Sequence, residues 1–455
     1  MFLEVERMQY GVGQGCFHTQ RISVGRQQDD LYKAENQFDF VYDCGSVSSN
    51  VGGVSALDWS IKHYRPKRSN LAKKAAPTVD ALFVSHFHFD HISGIKTLCK
   101  KNKVLRAFVP FYTPQEVLAV LVNEAERMSA ASDDSLIWFL GVLRNLTLRR
   151  SVFDIPTIYV LPDDERNVDG FNGPEIPPFG DNISVDANVL KTKTMKSSQT
   201  LQFHTPGSRK IWEIKVWHFK PAVVSGKGWK TAIALLEAAL GDTLTSMSPI
   251  TETTAHVIRT AATSIYKAMS AASAPANKNP NIVSMCVYSG PVPECGIRGK
   301  VSRLNAPNAK TSETHFAGHF SSRNGSLGDF YLQGFHQERD QVEKLGWLGT
   351  GDAMLERVEV WKDFEKTMAW KRCRAELVST ILMPHHGSTG GENYNPKLLV
   401  TYSPLALFSA GAFSPYPDPH PSTTVISDVL KHGCEAVNVT EFTRPGVFEL
   451  VKAWY

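Results

Sequence analysis

Residues 78–94, TVDALFVSHFHFDHISG, run from an apolar segment straight into three histidines and an aspartate held within six positions. The run ALFV predicts a buried strand that ends near Ser85. His86 and His88 lie two apart on extended chain, so their imidazoles can point to the same side and grip one cation. Asp90 and His91 come at the turn into the next helix, formed by HISGIKTLCKKNK with its lysines in the last turn. There they can face a second cation beside the first. Neutral imidazole with carboxylate suits zinc, and also manganese or iron, better than calcium or magnesium. The bland alternative is a set of surface or hydrogen-bonded core histidines. Four ligating groups at H-x-H-x-D-H spacing, between an apolar strand and a helix, argue against it.

The 455 residues allow two or three average domains, or one large domain carrying insertions. With 42% hydrophobic and 21% charged residues, the chain has the make-up of a soluble protein with a sizeable core. FLEVERMQYGVGQGCFHT alternates toward a glycine-rich turn, and FDFVYDCGS is a β-rich run ending in a turn. Residues 114–148 carry apolar groups at helical spacing over two helices. IWEIKVWHFKP and NIVSMCVYSG read as strands, 228–273 as helix and 291–328 as a turn-rich surface loop. GWLGTGDAML, STILMPHHGSTGG, LALFSAGAF and HGCEAVNVTEF then restore the strand-loop order. Such alternation implies a layered α/β fold over 1–455, a single domain.

Seven cysteines without a C-x-x-C pair argue against a disulfide framework or zinc ribbon and fit a reducing compartment. The start MFLEVERMQYGVGQGCF has no signal-peptide pattern, and no apolar stretch reaches the length of a membrane span. A cytoplasmic protein without membrane contact is expected.

The H-x-H-x-D-H motif at this junction resembles the signature of the metallo-β-lactamase superfamily. That resemblance implies a four-layer αββα fold, here with helical insertions at 112–150 and 228–273 and a loop insertion at 291–328. It implies a metal set of His86, His88, Asp90 and His91, joined by two later motifs. Asp352 in LGTGDAM matches the aspartate that bridges both metals, and His386 in MPHHGS matches the late histidine of the second metal, in preference to His385. Asp43 in YDCGS resembles the family's early aspartate, which supports the ligands from behind. The soluble domain of the DNA-uptake protein ComEC typifies the branch this chain resembles most. The matching features are VGQG at 12–15, Asn281 and Ser284, GD followed by PHHGS, and Ser409, Gly411, Tyr416, His420 and Pro421. The usual third histidine of the first metal is not evident: Asn281 stands in its place as a possible ligand, and His204 in FHTPGS mimics a related motif.

The resemblance implies a metallohydrolase in which two divalent ions, Zn2+ foremost and Mn2+ as the alternative, activate a hydroxide. Asp90, His385 and His420 are the candidate catalytic residues, the two histidines as partners of the scissile phosphate or the leaving oxygen. Residues 62–75 hold six Lys or Arg and no acid, and 191–230 hold nine against Glu213 alone. Such clusters serve as solvated surface or as a footprint for phosphate-rich ligands. They favour a phosphodiesterase or nuclease acting on nucleic acid or another phosphodiester. Trp212, Trp217, Phe219 and Trp229 can stack on bases or fill a strand core. Two alternatives remain: a hydrolase of small phosphodiesters of the cyclic-nucleotide or phosphocholine type, and a scaffold whose insertions bind protein partners in a bacterial defence system.

Overall fold

The computed structural model describes residues 2–28, 31–48, 55–66, 76–129, 132–162, 194–197, 199–204, 210–219, 234–238, 240–246, 248–271, 284–293, 295–305, 344–390, 392–399, 405–412, 420–443 and 446–454. The N-terminal strand β1 (Phe2–Tyr10) uses its period of two on both faces. Leu3 and Val5 join an apolar cluster shared between two sheets, whereas Met8 and Tyr10 join the cluster that holds the helices. Strands β2 (Gly15–Gln28) and β3 (Leu31–Ser46) extend this edge antiparallel. The first sheet then turns parallel through β5 (Ala81–Phe83), β7 (Ala107–Pro110), β8 (Thr157–Leu161) and β9 (Thr194–Lys196). The short β4 (Thr78–Val79) and β6 (Lys103–Val104) form a separate parallel pair.

The second sheet repeats that change of sense. Strands β10 (Thr200–His204), β11 (Lys210–Trp217), β12 (Cys286–Pro291) and β14 (Gly346–Gly349) are antiparallel, and β15 (Val378–Leu382), β16 (Leu405–Ser409) and β17 (Glu435–Val439) continue in parallel. The first sheet closes with β13 (Arg298–Asn305) and β18 (Gly446–Trp454), giving the order β13-β18-β1-β2-β3-β5-β7-β8-β9 over nine strands. Its partner runs β10-β11-β12-β14-β15-β16-β17 over seven. Rings cross between the sheets: Phe38 meets Phe203 edge-on, and His18 stacks on Trp347 at 4.2 Å.

The span 291–328, expected as a loop, contains β13, paired with β18 from Arg298↔Trp454 to Asn305↔Val447. RGKVSRLN is an edge strand whose basic groups blunt the open side, so its apolar alternation is diluted to Val301 and Leu304. Residues 306–328 of that span lie outside the described residues.

Three short helices flank the first sheet: α1 (Ala56–His63), capped by Ser55, α2 (Phe89–Ile92) and α3 (Ile95–Lys101). The stretch 112–150 forms α4 (Pro114–Ser129) and α5 (Asp133–Thr147). Thr113 and Glu116 cap α4 reciprocally: Thr113 N donates to Glu116 Oε2 at 2.6 Å, and Glu116 N to Thr113 Oγ1 at 3.3 Å. Helix α6 (Glu252–Ala271), from the stretch 228–273, packs against both. The later helices are α7 (Val358–Thr367) and α8 (Thr423–Lys431). Among the described residues no helix is long and apolar enough to cross a membrane.

Trp212 and Trp217 are fully buried, with Trp212 Nε1 donating to Ser289 Oγ and Trp217 Nε1 to Asp363 Oδ2. These two indoles belong to the core and have no face to offer a base. Phe219 packs half-buried against the helical cluster, and Trp229 lies outside the described residues. All seven cysteines are free thiols.

Candidate metal centre

The carboxyl ends of the parallel strands converge where the two sheets meet. Open α/β sheets bind ligands at such ends. Asp43 lies near the end of β3, the H-x-H-x-D-H loop follows β5, Asp352 follows β14, and His385 and His386 follow β15. Two sets of ligand atoms draw together, each within 4.8 Å: His86, His91 and Asp352, and Asp90, His91 and His386. Asp352 reaches both histidines of its set, with Oδ2 at 3.4 Å from His86 Nε2 and Oδ1 at 3.4 Å from His91 Nε2. His386 Nε2 stands 3.4 Å from Asp90 Oδ2.

Hydrogen bonds behind the site set the tautomers. Asp43, wholly buried, accepts from Ser85 N, Ser85 Oγ and His91 Nδ1, each at 2.7 Å. A carboxylate only accepts, so His91 carries a proton on Nδ1 and leaves Nε2 as its ligand atom, where a cation can take the place of a second proton. Ser85 Oγ gives its hydrogen to Asp43 and therefore accepts from His86 Nδ1 at 2.9 Å, which bares His86 Nε2 as well. His386 Nδ1 donates to the Ser409 carbonyl at 2.5 Å and bares the third Nε2. Among the described residues, the Nε2 atoms of His86, His91 and His386 and Oδ1 of Asp352 are buried without a hydrogen-bond partner. Ligand nitrogens and carboxylate oxygens thus face one another at 3.4 Å, an arrangement that a divalent cation between them satisfies. The donor set fits such an ion.

Charge balance agrees. Burial opposes a charge on His91, but Asp43 and Asp352 overcome it and hold its pKa well above the usual value. Burial and the neighbouring His91 push His86 down. Burial opposes ionisation of Asp352, yet His385, His86 and His91 hold it well below the carboxylate range. The pocket therefore favours added positive charge, which a cation supplies in place of a proton.

Backbone conformation is specialised here. Asp43, His385 and His386 take left-handed φ values of 54°, 46° and 55°, each costing about 1–3 kcal/mol. Gly351 has φ 52°, and a Cβ there would meet Ser284 Oγ at 2.4 Å and Ser85 Cβ at 2.6 Å. Ser284 Oγ accepts from Asp352 N at 2.9 Å and fixes the Asp352 loop.

The remaining candidates sit around this cluster. His88 joins neither set; its ring lies edge-on to His86, and its Nε2 faces Glu124 Oε1 at 3.8 Å. His385 is more exposed than His386: Nδ1 meets Asn393 Oδ1 at 2.9 Å, and Nε2 lies 3.8 Å from Asp352 Oδ2. Asn393 Nδ2 donates to the Asp352 carbonyl, which fixes its amide so that Oδ1 accepts from His385. The His420 ring lies 5.2 Å from that of His385. His204 ends the edge strand β10 and is in neither set. Asn281 and Tyr416 lie outside the described residues. Ser85, Asn393 and Glu124 escaped the sequence reading; only Glu124 leaves a signal there, as an acid at the position an apolar stripe should fill.

No curated protein matches the chain. Residues 57–137, from α1 through the H-x-H-x-D-H loop into α5, match the family model of the beta-lactamase superfamily domain, which supports membership of that superfamily and a metal-dependent hydrolase.

Proposed function

We propose that the chain is a phosphodiesterase, with nucleic acid as its substrate class, working with two divalent cations, Zn2+ or Mn2+. One observation carries the reading: three inward-facing Nε2 atoms and the two oxygens of Asp352 converge from distant parts of the chain. The four-layer αββα arrangement and the likeness to the ComEC branch belong to the same proposal. When bound, the cations lower the pKa of water from about 15.7 toward about 7 and clamp an oxygen of the substrate. His86 and Asp352 would hold one and Asp90 and His386 the other, and His91, common to both sets but with a single available nitrogen, would serve one of them.

The chain's own residues do the rest. Asp43 and the Ser409 carbonyl keep protons on the outer nitrogens of His91 and His386, so the inner nitrogens stay available as ligands. Ser284 and Asn393 hold the Asp352 loop from both sides. His385, with Nδ1–H given to Asn393, turns Nε2 toward Asp352, and as the imidazolium, protonated on Nε2 as well, it would hand that second proton to the leaving oxygen, with His420 beside it. Two basic stretches and the ComEC likeness favour a phosphodiester over an amide.

The test is cleavage of single-stranded DNA, double-stranded DNA, RNA and bis(p-nitrophenyl) phosphate in Mn2+ and Zn2+, with Asp352→Asn beside the wild type. Metal-dependent scission of a polymer that falls at least about 100-fold in the variant is expected. Cleavage of small diesters alone removes the nucleic-acid substrate. Hydrolysis of a chromogenic β-lactam without any diester cleavage overturns the reading.

A further inference from the structure

His385 belongs to a closed ring of hydrogen bonds. Its backbone N donates to the Gly351 carbonyl at 2.9 Å. Its Nδ1 lies 2.9 Å from Asn393 Oδ1 and 3.4 Å from the Gly390 carbonyl, and a carbonyl only accepts, so Nδ1 carries the hydrogen for both. The ring closes through Asn393 Nδ2, which donates to the carbonyl of Asp352, the residue after Gly351. Asn393 is wholly buried, and its backbone is tied to the same segment. Leu355 N donates to Asn393 O at 3.2 Å, and Glu356 N to Glu392 O at 2.9 Å. Two residues on, Asn395 Nδ2 donates to the Leu355 carbonyl at 2.6 Å. Residues 392–395 are thus zipped along 352–356 although neither segment belongs to a strand.

From this geometry we propose that Asn393 is a positioning residue for the departing group: it holds the His385 imidazole and the Asp352 loop as one unit, so that Nε2 meets the leaving oxygen on the side of His86. The inference rests on the reading of His385 as the proton donor of a phosphodiesterase. Asp352 Oδ2 faces His86 Nε2 at 3.4 Å and His385 Nε2 at 3.8 Å, whereas Oδ1 faces His91. The imidazole of His385 therefore stands by the oxygen that His86 shares. In the reaction the bond from phosphorus to the leaving oxygen breaks, and its electron pair takes the proton from His385 Nε2. An oxygen of water forms the new bond to phosphorus and gives its proton to solvent. His385 is only partly buried, so its ring depends on the acceptors behind it for its place. A displacement of about 1 Å costs on the order of 100-fold in such a step. Asn393→Ala removes both the acceptor and the link to Asp352, whereas Asn393→Asp keeps an acceptor for Nδ1–H and gives up only the donor.

The experiment uses the full chain in Mn2+ and two single-stranded DNA oligonucleotides, one natural and one with sulfur in place of the leaving oxygen. A sugar alkoxide needs a proton to leave, and a thiolate does not. Asn393→Ala should fall about 100-fold in kcat on natural DNA and less than about 10-fold on the sulfur substrate. Zinc competition titration should show both ions still bound, which separates loss of the donor from loss of a cation. Asn393→Asp should lower the two rates by the same factor. Equal falls on both substrates in Asn393→Ala, with the wild type active, overturn the inference alone. A fall confined to natural DNA in Asn393→Asp also overturns it, even where Asn393→Ala does not fold. A wild-type chain that cleaves no DNA overturns it together with the proposed function.

Discussion

Replacing Asp43 by asparagine exchanges one carboxylate oxygen for an NH2 group behind the metal centre and leaves the backbone alone. Asp43 has φ 54°, a left-handed value that asparagine adopts as readily as aspartate. The wild-type side chain receives three hydrogens, from Ser85 N, Ser85 Oγ and His91 Nδ1. The variant has one acceptor oxygen to meet them. If that oxygen keeps the Ser85 amide, its NH2 faces His91 Nδ1, and the imidazole moves its proton to Nε2, the atom that points at Asp352 Oδ1. If it keeps His91 instead, its NH2 opposes the Ser85 N–H, and a buried donor is left unmet at a cost of about 1–3 kcal/mol. Either way cation binding weakens by about 10–100-fold, or about 1.4–2.7 kcal/mol. Competition against a chromophoric chelator measures the zinc affinity directly. Thermal unfolding with and without zinc gives a second reading, because a ligand stabilises the fold in proportion to the logarithm of its affinity. Asp43→Asn binding two zinc ions with wild-type affinity would refute the tautomer argument.

Two more expectations concern the frame around the site. Gly351→Ala forces a Cβ into a left-handed residue and against Ser284 Oγ at 2.4 Å; it should destabilise the protein by about 2–5 kcal/mol, and unfolding in urea at the wild-type melting point would expose an error. Glu449, buried between the sheets, accepts from Arg303 Nε at 2.6 Å and Thr380 Oγ1 at 2.7 Å and lies 3.6 Å from Arg7. Burial opposes its charge, but Arg303 and Arg7 hold its pKa below 4.5. A depressed native pKa means that stability is full above pH 4.5 and drains as pH falls through the native value. Glu449→Gln should therefore cost about 3–5 kcal/mol at pH 7, with the gap to wild type narrowing below pH 4.5. A gap that stays constant down to the acid transition contradicts this.

The metal loop could be read from sequence because its ligands are close together and sit on a strand–helix junction, where local geometry decides which way they point. Asp352 and His386 are hundreds of residues away, and only the likeness to a family connected them with His86; their convergence depends on strand order across two sheets, which no local pattern encodes. His88 shows the limit from the other side. Its spacing to His86 puts both on one side of an extended segment, but the chain begins α2 at Phe89, and His88 turns to the acid of α4. Trp212 and Trp217 lie in a basic stretch, and composition could not tell whether an indole there faces solvent or the opposite sheet. Burial of β11 on both faces, at every position from Ile211 to Trp217, decides it. Strand β13 was hidden because an edge strand needs few apolar residues, and its basic ones look like a loop.

The strain at the ends of β3 and β15 follows from what the histidines must do. His385 and His386 are neighbours in sequence, yet one faces Asp352 and Asn393 while the other faces Asp90 and the Ser409 carbonyl. Ordinary helical or extended backbone would carry both imidazoles along a smooth path. Two successive left-handed residues, followed by Gly387 at φ 81°, fold the chain tightly enough to send them to different partners. The cost is borne by strands buried on both faces and by Gly45, whose missing Cβ lets β3 lie against the backbone of Asp90 and His91 at 2.5–2.6 Å from where that atom would stand. Rigid strands hold the nitrogen and oxygen atoms apart at cation spacing even though, among the described residues, the Nε2 atoms of His86, His91 and His386 meet no hydrogen-bond partner. Preorganisation of this kind makes the lone pairs of His86, His91 and His386 available to an ion without a further change of backbone.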